Sequence, residues 1–349
     1  MAGETYILVV RFSSMGDVAL AAPVLRAVKT GAVKTLILTR SVFADFFTNM
    51  DGVEVFRADL EGKHRGLTGI FRLFSDINNR YSIKYVIDLH SVLRSWIISF
   101  LYRLRGLKVY TVNKGRRDKR KFIKYKKESL LPHTIDRYRN VFREAGFTVG
   151  TPCVPSFVIS DEARQKAGKI IRDNIPAGYT LIGISPFAKH RTKSWGIENV
   201  RELMQKIQSE YNVYFFLFGN REEAEGLISL ASSGKSYIVA GKHQLETELA
   251  LISGLEFMIS MDSANMHLAA LSGIPTVSIW GGTHPMTGWA PTGDQQHLVI
   301  GISTSDLDCR PCTIYGKGKC LRKDVKYKCL KDIKPDMVYK RMKQSGLLS

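Results

Sequence analysis

Short apolar runs alternate along the chain with longer stretches in which apolar residues recur every three to four positions. Tyr6-Ile-Leu-Val-Val10 is an unbroken apolar run and predicts a strand buried on both faces. Pro23 to Lys29 carries helical spacing, Thr35-Leu-Ile-Leu-Thr39 predicts a second strand, and Tyr85-Val-Ile-Asp-Leu89 another, ending at His90. The same alternation resumes further on. Thr180-Leu-Ile-Gly-Ile184 and Val213-Tyr-Phe-Phe-Leu-Phe218 predict strands around an amphipathic helix over Ile197 to Tyr211. Phe257-Met-Ile-Ser260 and Thr276-Val-Ser-Ile279 predict two more, separated by a helix from Ala264 to Leu271. Pro275 introduces the last strand, where a missing N–H does little harm.

Strands alternating with helices argue for an α/β fold with parallel sheets. Between the two series, Gly150 to Gly178 holds Pro152, Pro155 and Pro176 around one polar helix, Asp161 to Asp173, and reads as an interdomain region. Pro335 to Leu348 predicts one more helix. The expected organisation is a domain over 1–155, a second over 156–334 and a terminal helix over 335–349. The length of 349 residues suits two such domains, each large enough to bury a core. Open α/β sheets take ligands at the carboxyl ends of their strands, so two halves of this kind are expected to make a cleft with a donor on one side and an acceptor on the other.

Charge narrows the partners. Lys and Arg number 51 against 32 Asp and Glu, a formal net charge of +19, which points to nucleic acid, an anionic membrane surface or phosphorylated small molecules. The most apolar stretch, Val92 to Leu104, is interrupted by Arg94 and Arg103 and falls short of the ~18 residues a membrane span requires. The first residues lack the pattern of a signal peptide. These features place the protein in the cytoplasm, with peripheral membrane association as an option.

Three constellations carry candidate chemistry. Arg11-Phe-Ser-Ser-Met-Gly-Asp17 follows the first strand, and Ser13, Ser14 and Gly16 form a tight strand-to-helix turn. A carboxylate at Asp17 can take the proton of an attacking hydroxyl, or it can serve only as a helix N-cap worth about 1 kcal/mol. Lys189-His-Arg-Thr-Lys-Ser-Trp195 lies just past the Thr180–Ile184 strand and can clamp a diphosphate, the bland alternative being a solvated basic loop. Met261-Asp-Ser-Ala-Asn-Met-His267 opens a helix that Asp262 or Ser263 would cap, and the N–H groups at such a start suit an anion. Trp280-Gly-Gly-Thr-His-Pro285 adds a Gly-rich turn where backbone can approach a ligand.

With those residues in view, ILVVRFSSMGDVALAAPVLRAVK resembles the N-terminal signature of glycosyltransferase family 9, the heptosyltransferases. FAKHRTKSW resembles that family's Lys-x-Trp loop, and SMDSANMHLAALSGIPTVSIWGGTHP its C-domain signature. The resemblance implies a GT-B fold, two Rossmann-like domains facing across a cleft, the first acceptor-side and the second binding the nucleotide sugar. It implies an inverting, metal-independent transfer of a sugar, typically heptose, from an ADP-sugar co-substrate to a lipopolysaccharide core acceptor, with no further cofactor. By the same resemblance Asp17 matches the general base and Lys193 the lysine that neutralises the donor phosphates. Ser185, Thr192, Asp262, Ser263, Ala264 and His267 fall on the donor side, and Glu222 or Glu223, after Gly219, is placed to reach the ribose. Ser13, Ser14 and Gly16 fall on the acceptor side. Ala264 and Asn265 stand where Gly and a variable residue are common, and Trp280 replaces the usual Phe, departures that bear on the donor sugar's identity.

Two features stand outside the signatures. Arg103 to Lys127 contains 12 Lys/Arg and one acidic residue, Asp118, with Phe122 and Tyr125 interleaved. Arg116, Arg117 and Arg120 are expected to meet the phosphorylated lipid A–core acceptor or the anionic inner leaflet. That reading is preferred over nucleic acid because the family's acceptor is anionic. Cys309-x-x-Cys312 with Cys320 and Cys329 suits either a structural metal site or free thiols, a disulfide being disfavoured in reducing cytoplasm. Cys153 stands alone. Alternatives to the leading function are a non-catalytic binding protein on the same fold and a GT-B enzyme using a UDP-sugar.

Overall fold

The computed structural model describes residues 4–126, 130–232 and 234–348. By packing, the chain forms two units, Met1–Gly115 with Pro132–Ser160, and Arg116–Leu131 with Asp161–Ser349. The first unit begins β1 (Thr5–Val10), α1 (Met15–Ala19), α2 (Ala22–Ala27), β2 (Val28–Lys29), β3 (Lys34–Arg40) and β4 (Val53–Ala58). It continues α3 (Gly66–Asn78), β5 (Ser82–Asp88), α4 (Leu93–Leu104) and β6 (Lys108–Thr111). After α5 (Arg116–Tyr125), which packs with the second unit, come α6 (Thr134–Glu144) and β7 (Thr148–Val149). Five strands make a parallel sheet ordered β4-β3-β1-β5-β6. The central β1 is apolar along its length because helices cover both faces, and from Ile7 to Val10 it is fully buried.

The second unit runs α7 (Asp161–Asn174), β8 (Thr180–Ser185), α8 (Ile197–Glu210), β9 (Val213–Leu217), α9 (Ala224–Ala231) and β10 (Ser236–Ile238). It continues α10 (Leu245–Ser253), β11 (Phe257–Met261), α11 (Ala264–Leu271), β12 (Thr276–Ile279), β13 (Leu298–Ile300), α12 (Lys328–Lys331) and α13 (Pro335–Gln344). Its parallel sheet is ordered β10-β9-β8-β11-β12-β13. The core gathers Ile182, Ile184, Phe215, Leu217, Ile259 and Val277 from the strands with Val200, Leu203 and Ile207 from α8. Both units are thus Rossmann-like, as the alternating pattern implies.

Differences from the sequence expectation have local causes. Helix α2 ends at Ala27 because Val28 and Lys29 turn extended and pair antiparallel with Val149 and Thr148. The helix α7, read as part of an interdomain stretch, packs on α10 of the second unit. The expected first domain, 1–155, includes Arg116–Leu131; by packing this segment lies with the second unit. Leu131 N–H donates to Met286 O at 3.0 Å, Lys119 Nζ sits 3.7 Å from the centre of the Trp289 ring, and Phe122 lies tilted against His284, ring centres 5.7 Å apart. Lys127, the end of the basic run, lies outside the described residues. Among the described residues no helix is long and apolar enough to cross a membrane.

Candidate active site

In each sheet the strand order reverses beside the first strand, between β1 and β5 in one unit and between β8 and β11 in the other. Loops leaving such a pair diverge and open a crevice at the carboxyl ends of the strands. The three constellations singled out by sequence all lie at these two places.

In the first unit Arg11 continues β1 into a buried position, where its Nη1 donates to Leu89 O at 2.6 Å. Its Nη2 stands 2.8 Å from Asp17 Oδ2, and the same oxygen accepts Ser14 Oγ–H at 2.9 Å. Tyr138 holds the backbone, donating its hydroxyl to Asp17 O at 3.2 Å, and its ring lies 5.8 Å from the Arg11 guanidinium. Asp17 is not the N-cap of its helix, as one of the two sequence expectations would have it. Ser14 occupies the N-cap of α1, and Asp17 is the third residue of the helix, its carboxylate aligned by a cation and still 23% exposed. Gly16 is buried in the turn.

Across the crevice, Asp88 closes β5. Its Oδ1 accepts the N–H groups of His90 and Ser91, both at 2.8 Å, and its Oδ2 accepts Ser95 Oγ–H at 2.9 Å. That clamp turns His90 back so that Nε2 lies 3.3 Å from Ser13 Oγ. Burial, reinforced by the nearby Arg11 and Lys114 charges, pushes the His90 pKa down to about 3, so the imidazole is neutral at physiological pH.

In the second unit the basic loop after β8 forms a single turn, Arg191–Lys193. Lys193 Nζ pairs with Asp262 Oδ2 at 2.8 Å, and this oxygen also accepts the Thr283 hydroxyl at 2.7 Å. Thr192 is buried, with its hydroxyl on Gly316 O at 2.6 Å and its carbonyl on Gly282 N–H at 2.8 Å. Gly316 adopts φ +84°, and a Cβ there would come within 2.6 Å of Lys193 Cε, so only glycine lets this loop lie against the lysine. Arg310 braces the Gly-rich turn from behind, Nε donating to Gly281 O at 2.7 Å and Nη2 to Thr283 O at 3.3 Å.

Ser185 ends β8 and its hydroxyl accepts Asn265 Nδ2–H at 2.9 Å, joining the first strand to the start of α11. Ser263 takes the N-cap position of α11 but makes no side-chain cap bond, standing 3.1 Å from Ser260 Oγ instead; Asp262 is committed to Lys193. The expected cap by either residue is therefore not made. Ala264 is the half-buried first residue of that helix, and His267 is buried within it. Of the two glutamates after β9, Glu223 turns inward, its Oε2 accepting Asn220 N–H at 2.8 Å, while Glu222 stays exposed.

The structure thus brings Ser185, Thr192, Lys193, Asp262 and Ser263 together, and separately Ser13, Ser14 and Asp17. Arg116, Arg117 and Arg120 line a surface hollow with Lys121, Lys124 and Tyr125 on α5, in the second unit. Cys309, Cys312, Cys320 and Cys329 all line one cavity of about 10 Å³, although among the described residues no group of three or more His, Cys, Asp or Glu could hold a metal ion as it stands. Burial pushes the Cys329 thiol up to about 11. Sequence reasoning missed Arg11, His90, Asn265 and Arg310. The first two sit within or beside recognised runs, and a basic residue ending an apolar strand was the available signal.

A model of glycosyltransferase family 9 (heptosyltransferase) matches residues 70–317. A lipooligosaccharide heptosyltransferase 2 of Campylobacter jejuni is 24% identical over 171 residues, 48% of this chain and 51% of that protein, so the chain spans about half the length of this curated relative. The solved family 9 glycosyl transferase of Veillonella parvula superposes with a TM-score of 0.76 at 20% identity, covering 100% of this chain and 99% of that one. The E. coli heptosyltransferase WaaC with ADP gives 0.67 at 17% identity, over 97% and 99%. At these identities the structural likeness bears on the fold.

Proposed function

The chain belongs to glycosyltransferase family 9, the heptosyltransferases, and from that premise we propose that it moves a heptose from an ADP-sugar to the anionic core of a lipopolysaccharide acceptor, with inversion and without a metal ion. The observation that carries the reading is the paired machinery. One switch point presents an accessible carboxylate, Asp17, aligned by a buried arginine; the other presents Lys193 beside the uncapped start of α11 and the Gly-rich turn.

The step balances with one base and one cationic site. The acceptor oxygen forms a bond to the anomeric carbon as the bond from that carbon to the β-phosphate oxygen breaks. The acceptor's proton passes to Asp17, and ADP departs with the bonding electron pair. Lys193 and the N–H groups at the start of α11 offset the charge that develops on the diphosphate. Asp262 does not touch phosphate in this scheme; it fixes the ammonium of Lys193 and is itself held by Thr283. Ser13, hydrogen-bonded to a neutral His90, and Ser14 orient the acceptor hydroxyl. Glu222 is assigned to the ribose. Arg116, Arg117 and Arg120 receive acceptor phosphates. A cytoplasmic location and peripheral contact with the inner membrane belong to the same proposal, with no role for nucleic acid.

Calorimetric titration of ADP and UDP into the wild type and Lys193→Ala, in the presence of a chelator, tests the donor side. Lys193-dependent binding of ADP and not UDP is expected. Preference for UDP would move the chain to a different donor, and no nucleotide binding would favour a non-catalytic role.

A further inference from the structure

Helices α3 and α4 lie side by side on one face of the first sheet and run in the same direction, their last turns meeting. Phe74 packs edge-on against Tyr102 at 4.8 Å, Asn78 Nδ2 donates to the Tyr102 hydroxyl at 3.2 Å, and Arg105 donates to Asn78 Oδ1 at 2.7 Å. Their inner faces are spent on the core through Ile70, Leu73, Ile77, Ile98 and Tyr102. Their outer faces are apolar as well. On α4, Leu93, Trp96, Phe100 and Leu104 recur every three to four residues and are 69%, 45%, 56% and 69% exposed. On α3, Leu67 and Phe71, one turn apart, are 64% and 54% exposed. A helix apolar on both sides is not explained by its own domain, and contiguous exposed apolar surface marks a docking site.

The charge around this surface says what docks. Residues 63–108 carry nine Lys/Arg and two carboxylates, a balance of +7. Neither carboxylate neutralises the arginines: Asp88 is fully buried, and Asp76 pairs with Lys63 and His64. Arg65, Arg72, Arg94, Arg103 and Arg105 therefore edge the apolar stripe with positive charge. An aromatic and aliphatic face rimmed by arginine matches the boundary between acyl chains and acidic headgroups, where Trp and Phe settle at the interface and basic side chains reach phosphate.

We propose that the α3–α4 face is a membrane-docking surface that inserts Trp96, Phe100 and Leu104 into an anionic bilayer while its arginine rim engages lipid phosphates. The proposal deepens the glycolipid-acceptor reading and rests on it for its occupant. This surface is separate from the basic helix α5, which packs with the second unit.

The test uses the full chain with phosphatidylethanolamine–phosphatidylglycerol vesicles and with phosphatidylcholine vesicles, read by flotation and by tryptophan quenching from brominated acyl chains. Trp195 and Trp280 are buried and the half-buried Trp289 is packed by Lys119 and Tyr315, so Trp96, 45% exposed, is the reporter. Partition at least about tenfold stronger onto the anionic vesicles is expected, weakening as salt screens the rim. Trp96→Phe should keep binding and lose most of the quenching. Trp96→Ser with Phe100→Ser, and separately Arg94→Glu with Arg103→Glu, should each cut partition at least about tenfold. ADP binding measured on the same variants should match the wild type, since none of these residues is assigned to the donor; its loss in the wild type would fail the donor reading and leave the vesicle result standing. Equal partition onto both vesicles, unchanged partition in the variants, or an oligomer that the Ser double variant converts to monomer without lipid would overturn the proposal, the last by making the face a contact between copies.

Discussion

Lys193 Nζ and Asp262 Oδ2 stand 2.8 Å apart, with 16% and 7% of their side chains exposed, and the same carboxylate oxygen holds the Thr283 hydroxyl. The ion pair spans the two loops that flank the β8–β11 switch point, so each loop's position depends on the other. Asp262→Asn keeps the shape and the Thr283 bond but releases the lysine from a fixed point. ADP affinity is expected to fall about tenfold, and the folded state to lose about 2–3 kcal/mol because a largely buried ammonium is left without its carboxylate. Titration calorimetry and urea melts check the two effects. Tighter ADP binding in Asp262→Asn would mean that the carboxylate opposes the donor phosphates instead of serving them.

Arg11 bears the same relation to Asp17. The guanidinium is buried, fixed to Leu89 O, and presents one nitrogen to the carboxylate. Asp17→Asn removes the proposed base and should lower kcat by about 10² to 10⁴. Arg11→Met leaves the base in place but unaligned; kcat should fall about tenfold to a hundredfold, with little change in KM for the donor, and Arg11→Lys should recover part of it. An Arg11→Met enzyme that loses donor affinity but keeps kcat would place the arginine on the binding step.

Much of this arrangement could be read in the chain because it rests on strands buried on both faces. Tyr6–Val10, Thr180–Ile184, Phe257–Ser260 and Thr276–Ile279 are apolar runs whose ends fall where the sheet ends, so the loops that follow them declare the site. The strand Val53–Ala58 lies at the sheet edge and alternates polar and apolar residues, which gives no such run. The pairing of Ser13 with His90 was hidden for a different reason. It depends on β1 and β5 being neighbours across 77 residues of sequence, and on Asp88 folding the chain back. The side of α5 was likewise invisible, because its partners Trp289, His284 and Met286 lie far along the chain.

The low pKa of His90 makes a signed prediction for stability against pH. Its folded value, about 3, lies below the unfolded 6.5, so the folded state favours the neutral ring. The stability this confers is complete above pH 6.5 and is lost as pH falls from there toward 3, by up to about 1.4 kcal/mol per pH unit. His90→Gln, which can still bond Ser13, should flatten the decline in Tm between pH 6 and pH 4 relative to the wild type. Parallel Tm curves for the two proteins would show that His90 is protonated at little cost and that its burial is relieved by local opening.

The basic face of α5 offers a test of which unit handles the acceptor's phosphates. Lys119 and Phe122 turn inward onto Trp289 and His284, and these contacts seat the helix. Arg116, Arg117 and Arg120 line the outer hollow with Lys121 and Lys124. Replacing the three arginines by alanine should therefore leave the unfolding free energy within about 1 kcal/mol of the wild type, as for exposed side chains generally. If they meet acceptor phosphates, KM for a phosphorylated acceptor should rise about tenfold to a hundredfold, and its salt dependence should flatten, because charge-assisted contacts are lost and screening has less to act on. The KM for the ADP-sugar should stay where it was, which separates this helix from the Lys193 loop although both lie in the same unit. A matching rise in donor KM would instead assign the α5 arginines to the nucleotide sugar, and an unchanged acceptor KM would remove the helix from substrate binding altogether.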